Sequence, residues 1–377
     1  MTQPDGLRSA PPRCAKLAAI RALVIDDSAF SRQAIARMLQ ESPMVEVVGV
    51  ARDGEEALRK TLELQPDLIT VDLEMPKMDG FTFLRIVMAK RPTPVIVISG
   101  RNGEDDVFKA LELGAVDFIA KPTPHATPML SSIAQELLRK VHSIRELRIE
   151  KVQERIRALP PLVARHVVGT APRVVAIGSS TGGPAALMQV FGAFTSPPPC
   201  AFLIAQHMPK GFTSGFAERL DRLTALHASE ARGGERPEPG TILLAPGGRH
   251  LEIESVAGQP VTRICPNHGD RYTPSVDRLF ETAAKAYGSE LVGVVLTGMG
   301  DDGRLGAQAV RASGGRVIAE SEETAVIFGM PQQVIRSGAA DLVLPLDEIA
   351  RAIQRGVGSA IQEATGGGGD TAKKGRA

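Results

Sequence analysis

The chain has 377 residues, 43% of them hydrophobic and 23% charged, more than one hydrophobic core usually organises, so two domains are expected. Lys and Arg total 44 against 43 Asp and Glu, a formal net charge of +1, which gives no electrostatic case for nucleic acid or an acidic membrane as the main partner. Cys14, Cys200 and Cys265 lie far apart without metal-ligand spacing, which argues against a zinc site or disulfide framework and for a reducing cytoplasm. No run approaches the roughly 18 apolar residues of a membrane span.

Residues 1–20 carry Pro4, Pro11 and Pro12 with scattered arginines and no apolar h-region, so a loose extension without a secretory signal is expected. A regular alternation follows. Apolar runs at 22–25, 45–50, 68–71, 95–98 and 116–119 read as strands, and helix-patterned segments lie between them. Ser28 is placed to cap the first helix, whose inner face carries Ala34, Ile35, Met38 and Leu39. Strands alternating with helices at this spacing predict a doubly wound parallel sheet of five strands.

The polar residues fall at the carboxyl ends of those strands, where such sheets bind ligands. Asp26 and Asp27 follow the first strand, Asp72 the third, Ser99 the fourth and Lys121 the fifth. Three converging carboxylates repel one another unless a hard cation such as Mg²⁺ takes their oxygens as ligands. A lysine and a hydroxyl beside them can hold a phosphoryl group on one carboxylate. Any one of these residues alone reads as a solvated strand end; the set of five does not. With Asp26-Asp27, the run Val-Asp-Leu-Glu-Met-Pro-Lys-Met-Asp-Gly around Asp72, Ser99 and Lys121-Pro122, residues 20–125 closely resemble the response-regulator receiver domain, which is flavodoxin-like. The resemblance implies Asp72 as phosphoacceptor, Asp26, Asp27 and Asp72 as the Mg²⁺ site, Ser99 and Lys121 as phosphate contacts, and Phe118 as the switching aromatic.

Between 122 and 172 the character changes. Pro122, Pro124 and Pro128 break regular structure, a charged helix is predicted over 133–156, and Pro160-Pro161 close it. This reads as the last receiver helix running into an interdomain linker. The domain division expected is an extension 1–20, a receiver 21–140, a helical linker 141–172, a catalytic domain 173–360 and a flexible tail 361–377 containing four consecutive glycines.

A second parallel-sheet pattern starts at residue 174, with strands at 174–177, 202–205, 242–245, 292–296 and 316–319 and helices at about 183–193, 212–223, 275–287 and 303–312. A weakly alternating stretch at 251–264 reads as an antiparallel hairpin. This predicts a three-layer α/β/α domain. Its first strand ends in Gly178-Ser179-Ser180-Thr181-Gly182-Gly183, a corner able to expose a serine or to cradle a phosphate. Ser180, His207 and Asp302 follow three different strands and converge on one sheet edge. A serine hydroxyl needs a neighbouring base, an imidazole supplies one near neutrality, and a carboxylate fixes the imidazole tautomer. On residue type alone His227, His250 and His268 compete with His207, and Asp301 with Asp302.

The motifs Gly-Ser-Ser-Thr-Gly-Gly, Gln-His-Met-Pro, Leu-Ala-Pro-Gly-Gly-Arg-His and Leu-Thr-Gly-Met-Gly-Asp-Asp-Gly, in this order after a receiver, closely resemble the chemotaxis protein-glutamate methylesterases over 173–355. The resemblance implies a Ser180–His207–Asp302 triad, with Thr181 and the Met299 backbone positioning the base and binding the oxyanion. Where that family often has Ala-Ser-Thr and Gly-Asn-Asp-Gly, this chain has Ser179 and Asp301. The former adds a second hydroxyl, and the latter a carboxylate able to perturb the histidine. The implied function is hydrolysis of glutamate γ-methyl esters, with deamidation of glutamines, on chemoreceptors in the cytoplasm. A histidine kinase would be phosphodonor, the unphosphorylated receiver would cover the cleft, and the ester chemistry itself would need no cofactor. The alternative is a non-enzymatic two-component output module whose glycine corner binds a phosphorylated ligand or a partner protein.

Overall fold

The computed structural model describes residues 19–100, 104–121, 130–147, 149, 152 and 173–355. The expectations for the extension before residue 19, for Cys14, for Pro122, Pro124 and Pro128, for most of the linker and for the tail lie outside them. The first sheet has strands β1 (Ile20–Ile25), β2 (Val45–Ala51), β3 (Leu68–Val71), β4 (Val95–Ser99) and β5 (Asp117–Ala120), all parallel, in the order β2-β1-β3-β4-β5. Helices α1 (Ala29–Gln40), α2 (Gly54–Leu64), α3 (Gly80–Lys90), α4 (Glu104–Glu112) and α5 (Leu130–Ser143) connect and cover them. Both faces of β3 and β4 are buried, which is why these strands read as unbroken apolar runs. Ser28 caps α1 as expected, its hydroxyl accepting from the Ser31 N–H at 3.3 Å.

The predicted helix over 133–156 is interrupted, and Ile149 and Val152 beyond the break are again helical. The chain leaves α5 at Ser143, makes one 3₁₀ turn over Ile144–Glu146, and becomes extended at Leu147, which bridges to Ile327 of the second half. Pairing with that backbone requires β-region dihedrals and so breaks the helix at Leu147.

The second sheet has seven parallel strands in the order β14-β13-β12-β6-β7-β9-β8. In chain order the elements are β6 (Val174–Ser179), α6 (Gly183–Gly192), β7 (Ala201–Gln206), α7 (Thr213–Leu223), β8 (His227–Glu230), β9 (Thr241–Leu244), α8 (Val276–Tyr287), β12 (Leu291–Val295), α9 (Arg304–Ala312), β13 (Arg316–Glu320), α10 (Met330–Arg336), β14 (Leu342–Leu344) and α11 (Leu346–Arg355). The predicted hairpin is present as β10 (Arg249–Val256) and β11 (Gln259–Pro266). β6 begins the domain in mid-sheet; the chain adds strands on one side of it and then crosses to β12 on the other. That reversal opens a crevice beyond the carboxyl ends of β6 and β12, the usual place for a site in this architecture. One apolar cluster runs unbroken from the first sheet into the second, through Phe108, Phe118, Phe212 and Phe216.

Candidate active site

Ser180 leaves the end of β6 in a tight corner. Its N–H donates to Thr297 O at 3.0 Å, and the Gly183 N–H donates back to Ser180 O at 2.8 Å. Gly182 sits at φ 76, a left-handed position that a side chain would strain. Ser179 does not supply a second nucleophile. It is fully buried, and its hydroxyl donates to Gln206 Oε1 at 2.6 Å. The Gln206 amide in turn donates to Ser180 O at 2.9 Å and His207 O at 3.0 Å, tying the ends of β6 and β7 together.

His207 Nε2 lies 2.8 Å from Asp302 Oδ2. Asp302 is buried and also accepts from Ser275 Oγ (3.1 Å) and the N–H groups of Val276 (2.8 Å), Asp277 (2.9 Å) and Gly303 (3.1 Å). Val276 and Asp277 open α8, so the carboxylate also faces the positive end of a helix dipole. Burial works to raise its pKa, but His207 and these N–H donors outweigh it and hold the carboxyl below its ordinary range. Asp301 turns elsewhere: its Oδ1 accepts from the Tyr272 hydroxyl at 3.0 Å and faces Arg271 Nη1 at 3.4 Å. His250 is buried on β10, its Nδ1 accepting from the Ser275 N–H at 3.1 Å, and His227 bonds Asp221. Neither lines the cavity.

Ser180, Thr181, His207, Tyr272 and Met299 share one cavity of about 390 Å³. Among the described residues nothing accepts from the N–H of Thr181 or of Met299, leaving both donors available. The Thr181 hydroxyl is not available, because it donates to Asp117 Oδ2 of β5 at 2.6 Å.

In the first half, oxygens of Asp26, Asp27 and Asp72 lie within 4.8 Å of one another. Lys121 Nζ bonds Asp72 and stands 2.9 Å from Asp26 Oδ2. Burial pushes the Asp26 carboxyl up against the pull of Lys121, while Asp26 and Asp72 hold the Lys121 ammonium above its ordinary value despite burial. An all-oxygen donor set of three carboxylates fits a hard divalent cation. Ser99 ends β4 beside it, its carbonyl accepting from the Lys121 N–H at 2.7 Å.

A family model described as CheB methylesterase matches residues 175–353, and one described as response regulator receiver domain matches residues 22–132. A relative from Geobacter sulfurreducens, named protein-glutamate methylesterase/protein-glutamine glutaminase 3, is 47% identical over 357 residues, covering 89% of this chain and 96% of the relative. A Myxococcus xanthus relative, protein-glutamate methylesterase/protein-glutamine glutaminase 1, is 48% identical over 336 residues, covering 89% and 96%. The chain belongs to the CheB methylesterase family. The crystal structure of the Thermotoga maritima CheB methylesterase catalytic domain, 40% identical, covers 49% of this chain and 98% of its own, with a TM-score of 0.47.

In this family member the receiver forms part of the cavity wall. Glu136, Arg139 and Lys140 of α5 line it opposite Ser180 and His207. Asp117 links the two sides: besides Thr181, it accepts from Lys140 Nζ at 2.6 Å, and Lys140 also donates to Phe118 O at 2.8 Å. Burial opposes the Lys140 charge, but Asp117 and Glu136 hold its pKa above the ordinary value. Phe118 packs on Phe212 with ring centroids 4.8 Å apart, Phe108 stacks on Phe216 at 5.2 Å, and Arg219 pairs with Glu112. Sequence reasoning missed Asp117, Lys140, Gln206, Ser275 and Tyr272. Gln206 had a signal, standing inside the Gln-His-Met-Pro motif; Tyr272 and the pairing of Asp117 with Thr181 had none.

Proposed function

We propose that this chain is a receiver-controlled protein-glutamate methylesterase and protein-glutamine glutaminase acting on chemoreceptors in the cytoplasm, with residues 21–140 as regulatory and 173–360 as catalytic unit. The observation that carries the reading is the fixing of His207 by the buried Asp302 in a cavity that also holds Ser180. With Nε2–H given to Asp302, Nδ1 is the ring nitrogen left to take the Ser180 proton. Ser180 Oγ then attacks the γ-carbonyl of the methylated glutamate, and the charge on its oxygen falls to the Thr181 and Met299 N–H groups. The imidazolium returns the proton to the departing methoxide, giving methanol, or to the nitrogen of a glutamine, giving ammonia. Water, deprotonated by the same imidazole, releases the glutamate.

In the receiver, Asp72 takes the phosphoryl group from a histidine kinase, Ser99 and Lys121 contact it, and Asp26, Asp27 and Asp72 would hold Mg²⁺. That ion, when bound, supplies charge neutralisation for the incoming phosphoryl oxygens. Phe118 and Asp117, on the strand that leads to Lys121, connect this event to the cleft. Membrane preparations of methylated receptor should release methanol with the wild type and not with Ser180→Ala; equal release would sink the esterase reading. Deleting residues 1–172 should raise the unstimulated rate, and an unchanged or lower rate would contradict cover-and-release control.

A further inference from the structure

A single hydrogen bond does not fix an imidazole. His207 held only at Nε2 can still swing about the line to Asp302, and Nδ1 swings with it. Tyr272 removes that freedom: its ring stacks on the His207 ring with centroids 5.1 Å apart and planes 7° from parallel. Tyr272 is held at its far end by Asp301, whose Oδ1 accepts from the phenol at 3.0 Å. The Arg271 guanidinium lies 4.9 Å from the Tyr272 ring centroid and 3.4 Å from the same carboxylate oxygen. The turn leaves room for the phenol only because residue 300 is glycine. At φ 95, a Cβ there would lie 2.3 Å from the Tyr272 hydroxyl oxygen.

We propose that Tyr272 is a positioning residue for His207 and that Asp301 acts on that histidine only through Tyr272. This rests on the reading of Ser180 and His207 as nucleophile and base. Two successive carboxylates then fix one imidazole in different ways: Asp302 through a ring nitrogen, Asp301 through a stacked ring. The aromatic face is the negative region of the phenol, so it attracts the imidazolium formed during the reaction more than the neutral imidazole that precedes it. An interaction stronger in the transition state than in the ground state appears in kcat rather than KM.

The test uses the full chain with Mg²⁺ and acetyl phosphate, measuring methanol release from methylated receptor membranes, with carbon–proton NMR of ¹³C-histidine-labelled protein alongside. Tyr272→Leu should lower kcat roughly ten-fold, with KM within about two-fold of wild type. Tyr272→Phe keeps the ring but gives up its bond to Asp301 and should recover part of that loss; Asp301→Ala takes away the phenol's acceptor and should lower kcat in a chain that carries Tyr272, with no further loss when combined with Tyr272→Leu. The ring-proton resonances of His207, shielded by the stacked ring, should move downfield in Tyr272→Leu and stay in place in Tyr272→Phe. Wild-type kcat with unshifted His207 resonances in Tyr272→Leu, or Tyr272→Phe as slow as Tyr272→Leu, overturns the proposal. If Ser180→Ala is inactive while Tyr272→Leu is at full rate, this inference alone fails. If Ser180→Ala is as active as wild type, the esterase reading fails.

Discussion

The carboxylate of Asp302 accepts from the N–H groups of Val276, Asp277 and Gly303, from Ser275 Oγ and from His207. An asparagine offers one acceptor where the carboxylate offers two and points an amide donor at donors. Asp302→Asn should therefore lower kcat roughly a thousand-fold or more, by freeing the histidine tautomer. Its pH signature has a definite sign. The folded pKa is depressed below 3.8, so the stability this group contributes is present above 3.8 and lost as pH falls through the lower folded value. Asp277, whose own N–H donates to Asp302, has the opposite sign. Burial, with the Asp302 charge adding to it, pushes its carboxyl up to about 6 against the Gly306 N–H that it accepts at 2.6 Å. Its contribution is full below 3.8 and disappears as pH rises through about 6, leaving an ionised half-buried group that costs stability above that. Asp277→Asn keeps the acceptor without the charge. In urea titrations it should be more stable than wild type by about 1 kcal/mol at pH 8, after discounting for solvent screening, and the gain should shrink below pH 6. A pH-independent difference would assign the effect to packing.

At the scale of elements, the contact of α4 with α7 is one of the seams between receiver and esterase, and Phe108 on Phe216 is its aromatic pair. Phe108→Ala cuts that seam from the receiver side and leaves every cavity residue in place. It should raise unphosphorylated methanol release roughly five-fold or more and narrow the further gain from acetyl phosphate. An unchanged basal rate would place the restraint elsewhere. The strands of both sheets were legible in the sequence because parallel strands buried on two faces are apolar throughout, as at Leu68–Val71 and Val174–Ser179. β8 was not, because an edge strand reading His-Ala-Ser-Glu carries no apolar run; β14 has only three residues. Ser180, His207 and Asp302 were legible as strand-exit residues. Tyr272 was not, since it lies in an irregular loop where no period marks which side chain faces inward. Asp117 was also silent: its partner Thr181 lies in the corner after β6, and nothing in local pattern encodes how the two halves meet.

For the whole molecule, the continuous apolar cluster makes the resting chain one packed body across its two sheets. Amide exchange over 181–183 and 212–216 should quicken when beryllofluoride and Mg²⁺ load the receiver, while α1 and α2 remain protected; no change at 181–183 would mean that the cleft does not open. Chelating divalent ions should abolish activation by acetyl phosphate and leave the basal rate of the resting enzyme intact. β5 is a strand of four residues, Asp117–Ala120, about 13 Å long. At one end Asp117 and Phe118 grip the esterase; past the other, Lys121 grips Asp72. The partners of Asp72 and of Thr181, Lys121 and Asp117, therefore stand at the two ends of a single short strand. A change that shifts this strand along its length is felt at both Asp72 and Thr181, without a longer relay between them.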